Sequence, residues 1–316
     1  VHLLLPLLLS LSAGVTPVPV ILDTDLGDDI DDTWALCMLL GRPDVDVKLI
    51  VTASDDTETK TRLVAKILEF VGRTDIPLGT GLKTSDNPIN QAAWLGDYDL
   101  KDYKGTVHED GIGAMIDMLM AAEAPMTLCV IGPQSNMKPA LERQPEIAKK
   151  ARIVTMAGSV HIGYDGKEGR AAEWNVMRDP AAAQAVFAAP WEIVMAPLDI
   201  CGTLRLEGAR YEEVAQADSA LAKVTIENYI AWTNRKHHPE NASSVLFDTA
   251  ATYLCYDEKY MEIETIKLSI DDKGNTYPDE ENGRPVRVAL RWKDREAFEK
   301  EMVDAIVNPA APAASK

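Results

Sequence analysis

Six aspartates fall within ten residues, Asp23-Thr24-Asp25-Leu26-Gly27-Asp28-Asp29-Ile30-Asp31-Asp32, directly after the apolar run Val18-Pro19-Val20-Ile21-Leu22 and just before Trp34-Ala35-Leu36-Cys37-Met38. The apolar run reads as a buried strand and the segment after the aspartates as a helix, so the carboxylates meet at a strand's C-terminal end. Gathered in a partly buried place they would repel one another by several kcal/mol, so either they splay into water or something positive holds them. A hard divalent cation is the economical answer. Calcium, which takes about 6 to 8 oxygens from carboxylates, carbonyls, water and ligand hydroxyls, suits such donors.

Other readings compete. The helical-loop calcium motif fits poorly, because Gly27 stands where its third acidic ligand would be. A phosphatase that opens Asp-x-Asp-x-Thr after a strand matches Asp23-Thr24-Asp25 but needs Thr or Val where Gly27 lies. A merely solvated acidic loop sits badly after so apolar a strand.

The elements that must position these residues follow from the hydrophobic pattern. Apolar, β-branched runs recur at Val18–Leu22, Val45–Thr52, Met126–Ile131, Arg152–Met156 and Trp191–Ala196, with helix-period segments between them, such as Leu63, Ile67, Phe70 and Val71. Strands alternating with helices predict an α/β fold, Rossmann-like, with an open and mainly parallel sheet flanked by helices on both faces. In that architecture ligands bind beyond the carboxyl ends of the strands, which is where the aspartates fall. Ile263–Trp292 reads instead as two strands around a polar Gly/Asp/Asn/Pro loop, an appended C-terminal hairpin, followed by a helix with Phe298, Met302 and Ile306 on one face. With no repeat and no linker, residues 17–309 are expected to form one catalytic domain, with a disordered Pro/Ala/Ser-rich tail over 310–316.

Composition narrows the partner. Over 316 residues the net charge is −18, which repels nucleic acid polymers and anionic membranes, and the longest basic cluster, Arg235-Lys236-His237-His238, is too short to offset it. A neutral small molecule or a cation fits better. Cys37, Cys129, Cys201 and Cys255 are far apart among apolar neighbours and read as core residues, with no CxxC pair for zinc or redox work. Leu3–Val15 is too short to span a bilayer but looks like a signal-peptide core, with residues 1–16 its remnant. A basic segment before it is missing, so a buried strand is the alternative. Export would place the protein outside the cell or in a periplasm, and otherwise it is cytoplasmic; stable membrane insertion is not expected. Asn241-Ala242-Ser243 is a glycosylation sequon, meaningful only in a secreted eukaryotic protein.

At this point VILDTDLGDDIDDTWAL resembles the N-terminal signature of the inosine-uridine preferring nucleoside hydrolase family, in a longer variant with two extra residues before the Asp31-Asp32 pair. The resemblance continues through Met126–Asn136 (MTLCVIGPQSN), Val154–Gly158 (VTMAG), Glu173-Trp174-Asn175 and Leu246-Phe247-Asp248-Thr249-Ala250, spanning roughly residues 18–260 in order. Singly, Glu173 would be a surface carboxylate, Asn175 a turn residue, Trp174 core and Asp248 a helix cap. Their joint order is what carries the likeness.

The resemblance implies hydrolysis of the N-glycosidic bond of ribonucleosides to ribose and free base, with a calcium-bound water. It assigns Ca2+ to Asp25, Asp32, the carbonyl of Ile131 and Asp248. It assigns the ribose to Asp31, Glu173, Trp174 and Asn175, and less directly to Asp56, where the family often has Asn. Asp25 is our choice of general base, since a carboxylate beside the cation can take the proton of water. A ring of carboxylates would also stabilise the oxocarbenium-like transition state of glycosidic cleavage. Relatives are commonly dimers or tetramers, so a homo-oligomer is implied. Two departures stand out: Lys167 lies where an Asn is common, and Phe247 lies where relatives often place a histidine that protonates the leaving base. His108, Tyr229, His237 and His238 are candidate substitutes. The rival functions are a calcium-dependent ribose or nucleoside binder without catalysis, and the Asp-x-Asp phosphatase.

Overall fold

The computed structural model describes residues 16–234 and 241–310. The Leu3–Val15 run, the Arg235–His238 cluster with its two histidines and residues 311–316 lie outside them.

Among the described residues the strands are β1 (Val18–Thr24), β2 (Val45–Thr52), β3 (Leu78–Gly79), β4 (Val107–His108), β5 (Met126–Val130), β6 (Ala151–Met156), β7 (Ile193–Ala196), β8 (Met261–Ile270), β9 (Thr276–Pro278) and β10 (Arg284–Trp292). They form a single open sheet in the order β4-β3-β2-β1-β5-β6-β7-β10-β8-β9. From β4 to β7 all pairings are parallel. The expected hairpin is present and joins that sheet, because β10 pairs parallel with β7 and antiparallel with β8, while β9 adds an outer strand. The two-residue strands β3 and β4 are too short to leave a periodic signal in the sequence.

Side chains on the central strands alternate between two apolar layers. Val20, Leu22, Cys129, Val154 and Val194 face one layer; Ile21, Leu128, Val130, Ile153 and Ile193 face the other. This two-sided burial explains why the strands read as continuous apolar runs rather than as alternating ones. The helix after the aspartates, Asp31–Gly41, has all of its residues buried and packs against the helices Phe247–Leu254 and Arg295–Val307. A helix apolar around most of its circumference must be enclosed in this way. All four cysteines are free and buried, in keeping with their reading as core residues.

Successive connections from β1 run outward to β2 on one side, whereas β5 lies on the other, so the strand order reverses between β1 and β5. At such a reversal the loops beyond the two carboxyl ends diverge and leave a crevice. The aspartates after β1 and Ile131 after β5 stand at its edges. No helix among the described residues is long and apolar enough to cross a membrane.

Candidate active site

The crevice is a cavity of about 480 Å3 lined by Asp25, Asp28, Asp29, Asp31, Asp32, Asn90, Ile131, Met156, Tyr164, Glu173, Trp174, Asn175, Trp232, Phe247 and Asp248. That volume suits a small molecule. Asp25, Asp31, Asp32, Glu173, Trp174, Asn175, Ile131 and Asp248, separated by more than two hundred positions in the chain, thus share one wall system.

The loop from Asp25 to Ile30 is shaped by its own sequence and by distant clamps. Gly27 has φ +122°, a conformation disfavoured for L side chains, and a Cβ there would lie 2.6 Å from Ile89 Cγ2. The Gln91 N–H donates to the Gly27 carbonyl at 3.0 Å, and the Gln91 side-chain amide donates to the Asp29 carbonyl at 2.6 Å. The Asp28 carbonyl accepts from Asn90 Nδ2 at 2.8 Å and from Trp232 Nε1 at 3.0 Å. Lys60, fully buried, donates to Asp28 Oδ2 at 2.6 Å and to the Ala53 carbonyl at 3.1 Å. Asp31 and Asp32 then open the Asp31–Gly41 helix, where the unpaired N–H groups and the helix dipole favour negative charge.

Asp31, Asp32 and Asp248 each offer a carboxylate oxygen within 4.8 Å of the other two, all three buried, in a geometry that could hold a metal ion. Asp248 lies in the first turn of the Phe247–Leu254 helix, and its N–H reaches Asp31 Oδ2 at 3.4 Å. The Thr24 hydroxyl donates to Asp32. Asp25 faces the same cavity; the Gly132 backbone passes so close that a Cβ there would stand 2.7 Å from Asp25 Oδ1. The Ile131 carbonyl accepts from Asn175 Nδ2 at 2.8 Å, which leaves it a second lone pair. Glu173 caps the short Trp174–Arg178 helix, accepting from the N–H groups of Gly158, Asn175 and Val176. Trp174 is half-exposed at the rim, with the Arg178 guanidinium 5.3 Å from its ring centre and paired in turn with Asp55 at 2.9 Å.

Burial makes these carboxylates reluctant to ionise. Asp25 is pushed up to about 7 by desolvation, with Lys60 pulling the other way and Asp28 pushing further. Glu173 also rises to about 7, as burial outweighs its three N–H donors. Asp31, Asp32 and Asp248 stand well above the usual carboxylate range, first from burial and then from one another and their neighbours. A dication among them would restore their charge, because an adjacent positive ion inverts this balance.

Four positions singled out along the sequence are not among the residues that line the cavity. Asp56 is not among the lining residues: it precedes the Thr57–Phe70 helix, accepts from the Thr59 hydroxyl at 2.6 Å and faces Lys83 at 3.5 Å. Of the candidate substitutes for a histidine, Tyr229 is buried behind the wall with its hydroxyl on the Ser244 N–H, and His108 sits on β4 beside a separate surface cavity with Pro19, Lys48 and Met126. Lys167 is exposed and pairs with Asp165 at 3.6 Å. Conversely, Asp28, Asn90, Tyr164 and Trp232 line the cavity without having been singled out. Asp28 stood in the aspartate run; the other three lie in segments with no motif to mark them.

A small-molecule cavity walled by clustered carboxylates that could hold a cation, at the strand reversal of an open and mainly parallel sheet, is the site of an α/β protein that binds its ligand beyond the strand ends. The model of the inosine-uridine preferring nucleoside hydrolase family matches residues 20–300, and the chain belongs to that family. It is therefore a hydrolase of N-glycosyl bonds that splits ribonucleosides into ribose and base. Among its relatives, the pyrimidine-specific ribonucleoside hydrolase RihA of Enterobacter sp. is 32% identical over 228 residues, covering 66% of this chain and 69% of that protein. RihA of Escherichia coli is 34% identical over 194 residues, covering 58% of this chain and 61% of that protein. Among solved structures, a plant nucleoside hydrolase superposes with a TM-score of 0.76 at 23% identity, covering 93% of this chain and all of its own (100%). The inosine-uridine preferring nucleoside hydrolase of Bacillus anthracis gives 0.74 at 20% identity, over 92% and 99% of the two chains.

Proposed function

We propose that this hydrolase works with a calcium ion held by Asp25, Asp32, Asp248 and the Ile131 carbonyl, with Asp25 as the general base. Asp31, Glu173 and Asn175 hold the ribose, and Trp174 covers it from the rim. The observation that supports this reading is the buried convergence of Asp32 and Asp248 with Asp31 within 4.8 Å; Asp25 lines the same cavity but is not one of that trio, and its place on the ion rests on the family resemblance. The donors are all oxygens, which disfavours zinc, and carboxylates joined by a backbone carbonyl with room for ligand hydroxyls suit calcium, which takes about 6 to 8 oxygens, better than magnesium, which keeps most of its own water. When bound, the cation supplies a lowered pKa for water and a ligand position for the sugar hydroxyls.

The chain's own groups do the rest. Asp25 takes a proton from the attacking water, which it can do because a cation beside it would keep it ionised despite its burial. The surrounding carboxylates stabilise the positive charge that grows on the sugar as the glycosidic bond lengthens. Glu173 is held by three N–H groups and Asn175 by the Ile131 and Met156 carbonyls, so both present fixed edges to a ribose.

The test is reducing-sugar release from inosine and uridine before chelation, after chelation and after calcium is restored. Activity should vanish and return, and calcium should raise the melting temperature by mass action on the folded state. Undiminished turnover in chelator, or no calcium binding below millimolar by titration calorimetry, overturns the metal assignment. Calcium and ribose binding without sugar release would mark a binder instead.

A further inference from the structure

The departing base carries away the electron pair of the broken bond, and Phe247, which lines the site, has no proton to give it. The side-chain donors along the cavity are almost all occupied. Asn90 Nδ2 and Trp232 Nε1 both donate to the Asp28 carbonyl, and Asn175 Nδ2 donates to the Ile131 and Met156 carbonyls. The indole N–H of Trp174 is too weak an acid to give up its proton. Tyr164 differs from all of these. Its hydroxyl oxygen accepts from the Trp174 N–H at 2.8 Å, so its own proton is turned away from that bond, and its ring meets Phe247 at 6.1 Å between centroids and 82°.

The loop that carries Tyr164 is built to hold it there. Asp199 accepts from the N–H groups of Val160, His161 and Ile162, and the Ser159 hydroxyl donates to the Ile162 carbonyl. The Gly163 N–H then closes a turn onto the Lys167 carbonyl at 2.8 Å. Such support from a second layer of hydrogen bonds is what a precisely placed donor requires.

We infer that Tyr164 is the proton donor to the leaving base, an assignment that rests on the nucleoside hydrolase reading above. As the C1′–N bond breaks, its electron pair passes to the base nitrogen and the Tyr164 O–H proton passes to the base. Burial and the Glu173 carboxylate hold this hydroxyl above its usual range, with the Trp174 N–H pulling the other way, so the phenolate is short-lived and at once recovers the proton that the attacking water released to the carboxylate. Water's oxygen ends on C1′, and atoms and charge balance without a further reagent.

The experiment compares Tyr164→Phe with wild type on inosine, uridine and p-nitrophenyl riboside in the presence of calcium. The activated riboside needs no proton on its leaving group. Tyr164→Phe should lower kcat on the nucleosides by about 10²-fold or more and leave the riboside within about threefold, since general-acid assistance acts on the poor leaving group. The double variant Tyr164→Phe/Phe247→His, which returns a donor to the same wall, should recover part of the nucleoside rate. Equal losses on all three substrates, or no loss on nucleosides, overturn the assignment. A wild type that cleaves the activated riboside but neither nucleoside overturns it alone, whereas a wild type inert to all three overturns the hydrolase reading with it.

Discussion

Replacing Lys60 by Met removes an ammonium buried beneath the acidic loop while keeping most of its aliphatic stem, which packs near Gly27. Breaking a buried ion pair from one side costs about 3 to 5 kcal/mol. The Lys60 side chain is fully buried but that of Asp28 is 25% exposed, so water recovers part of the stranded charge and the lower figure applies. The Ala53 carbonyl also loses its donor. A loss of about 3 kcal/mol corresponds to a fall of about 5 °C, at roughly 2 cal/mol/K of unfolding entropy per residue. Urea and thermal melts in chelator measure it, with Lys48→Met as the control. Lys48 pairs with Asp46 at the surface, both nearly half-exposed, and its loss should stay within about 0.5 kcal/mol. Adding Asp28→Asn to Lys60→Met should recover about half of the loss or more, because the stranded charge is then gone. Lys60 also pulls down the proton affinity of Asp25 and Asp32, so its removal should shift calcium binding to lower concentration. The reasoning fails if Lys60→Met costs no more than Lys48→Met, or if Asp28→Asn adds to the damage.

Asp25→Asn should lose about 10³-fold or more in turnover, since ligand charge and proton acceptor go together, and retention of a tenth of wild-type kcat would place the base elsewhere. Gly132→Ala should imitate it more mildly, because its Cβ would press on Asp25 at 2.7 Å from Oδ1 and 2.8 Å from the backbone nitrogen. Stability of the metal-free protein should fall between pH 5 and pH 8. Glu173 has a folded-state pKa raised from 4.5 to about 7, so its contribution is fully present below the unfolded value and is lost as pH rises through about 7, by about 3 kcal/mol. Surface carboxylates held low, such as Asp110 at about 2 beside Arg143, act in the opposite sense only at lower pH. A flat melting temperature across that window in chelator would show that Glu173 is solvated or already paired.

What could be read along the chain was whatever one segment carries alone. The β1 run and the aspartates after it are contiguous, so strand, turn and acid cluster follow from local order, and Gly27 marks the turn because few side chains tolerate φ +122°. The central strands were legible because burial on both faces leaves continuous apolar runs, and the order of Glu173, Asn175 and Asp248 along the chain was enough to relate them. Tertiary structure decided which neighbours meet. Trp232 reaches the Asp28 carbonyl across 204 positions, and Asn90 reaches it across 62, through single hydrogen bonds that leave no periodicity in either segment. Asp55 and Asp56 are indistinguishable as sequence. The backbone after β2 turns through positive φ at Ser54 and Asp55, sends Asp55 to Arg178 and leaves Asp56 on Thr59 and Lys83, away from the sugar site. Tyr164 is an ordinary loop residue until folding brings Phe247 against its ring and the Trp174 N–H onto its oxygen. A side chain's chemistry is set by its type, but its pKa, its partners and the direction of its proton are set by what packs around it.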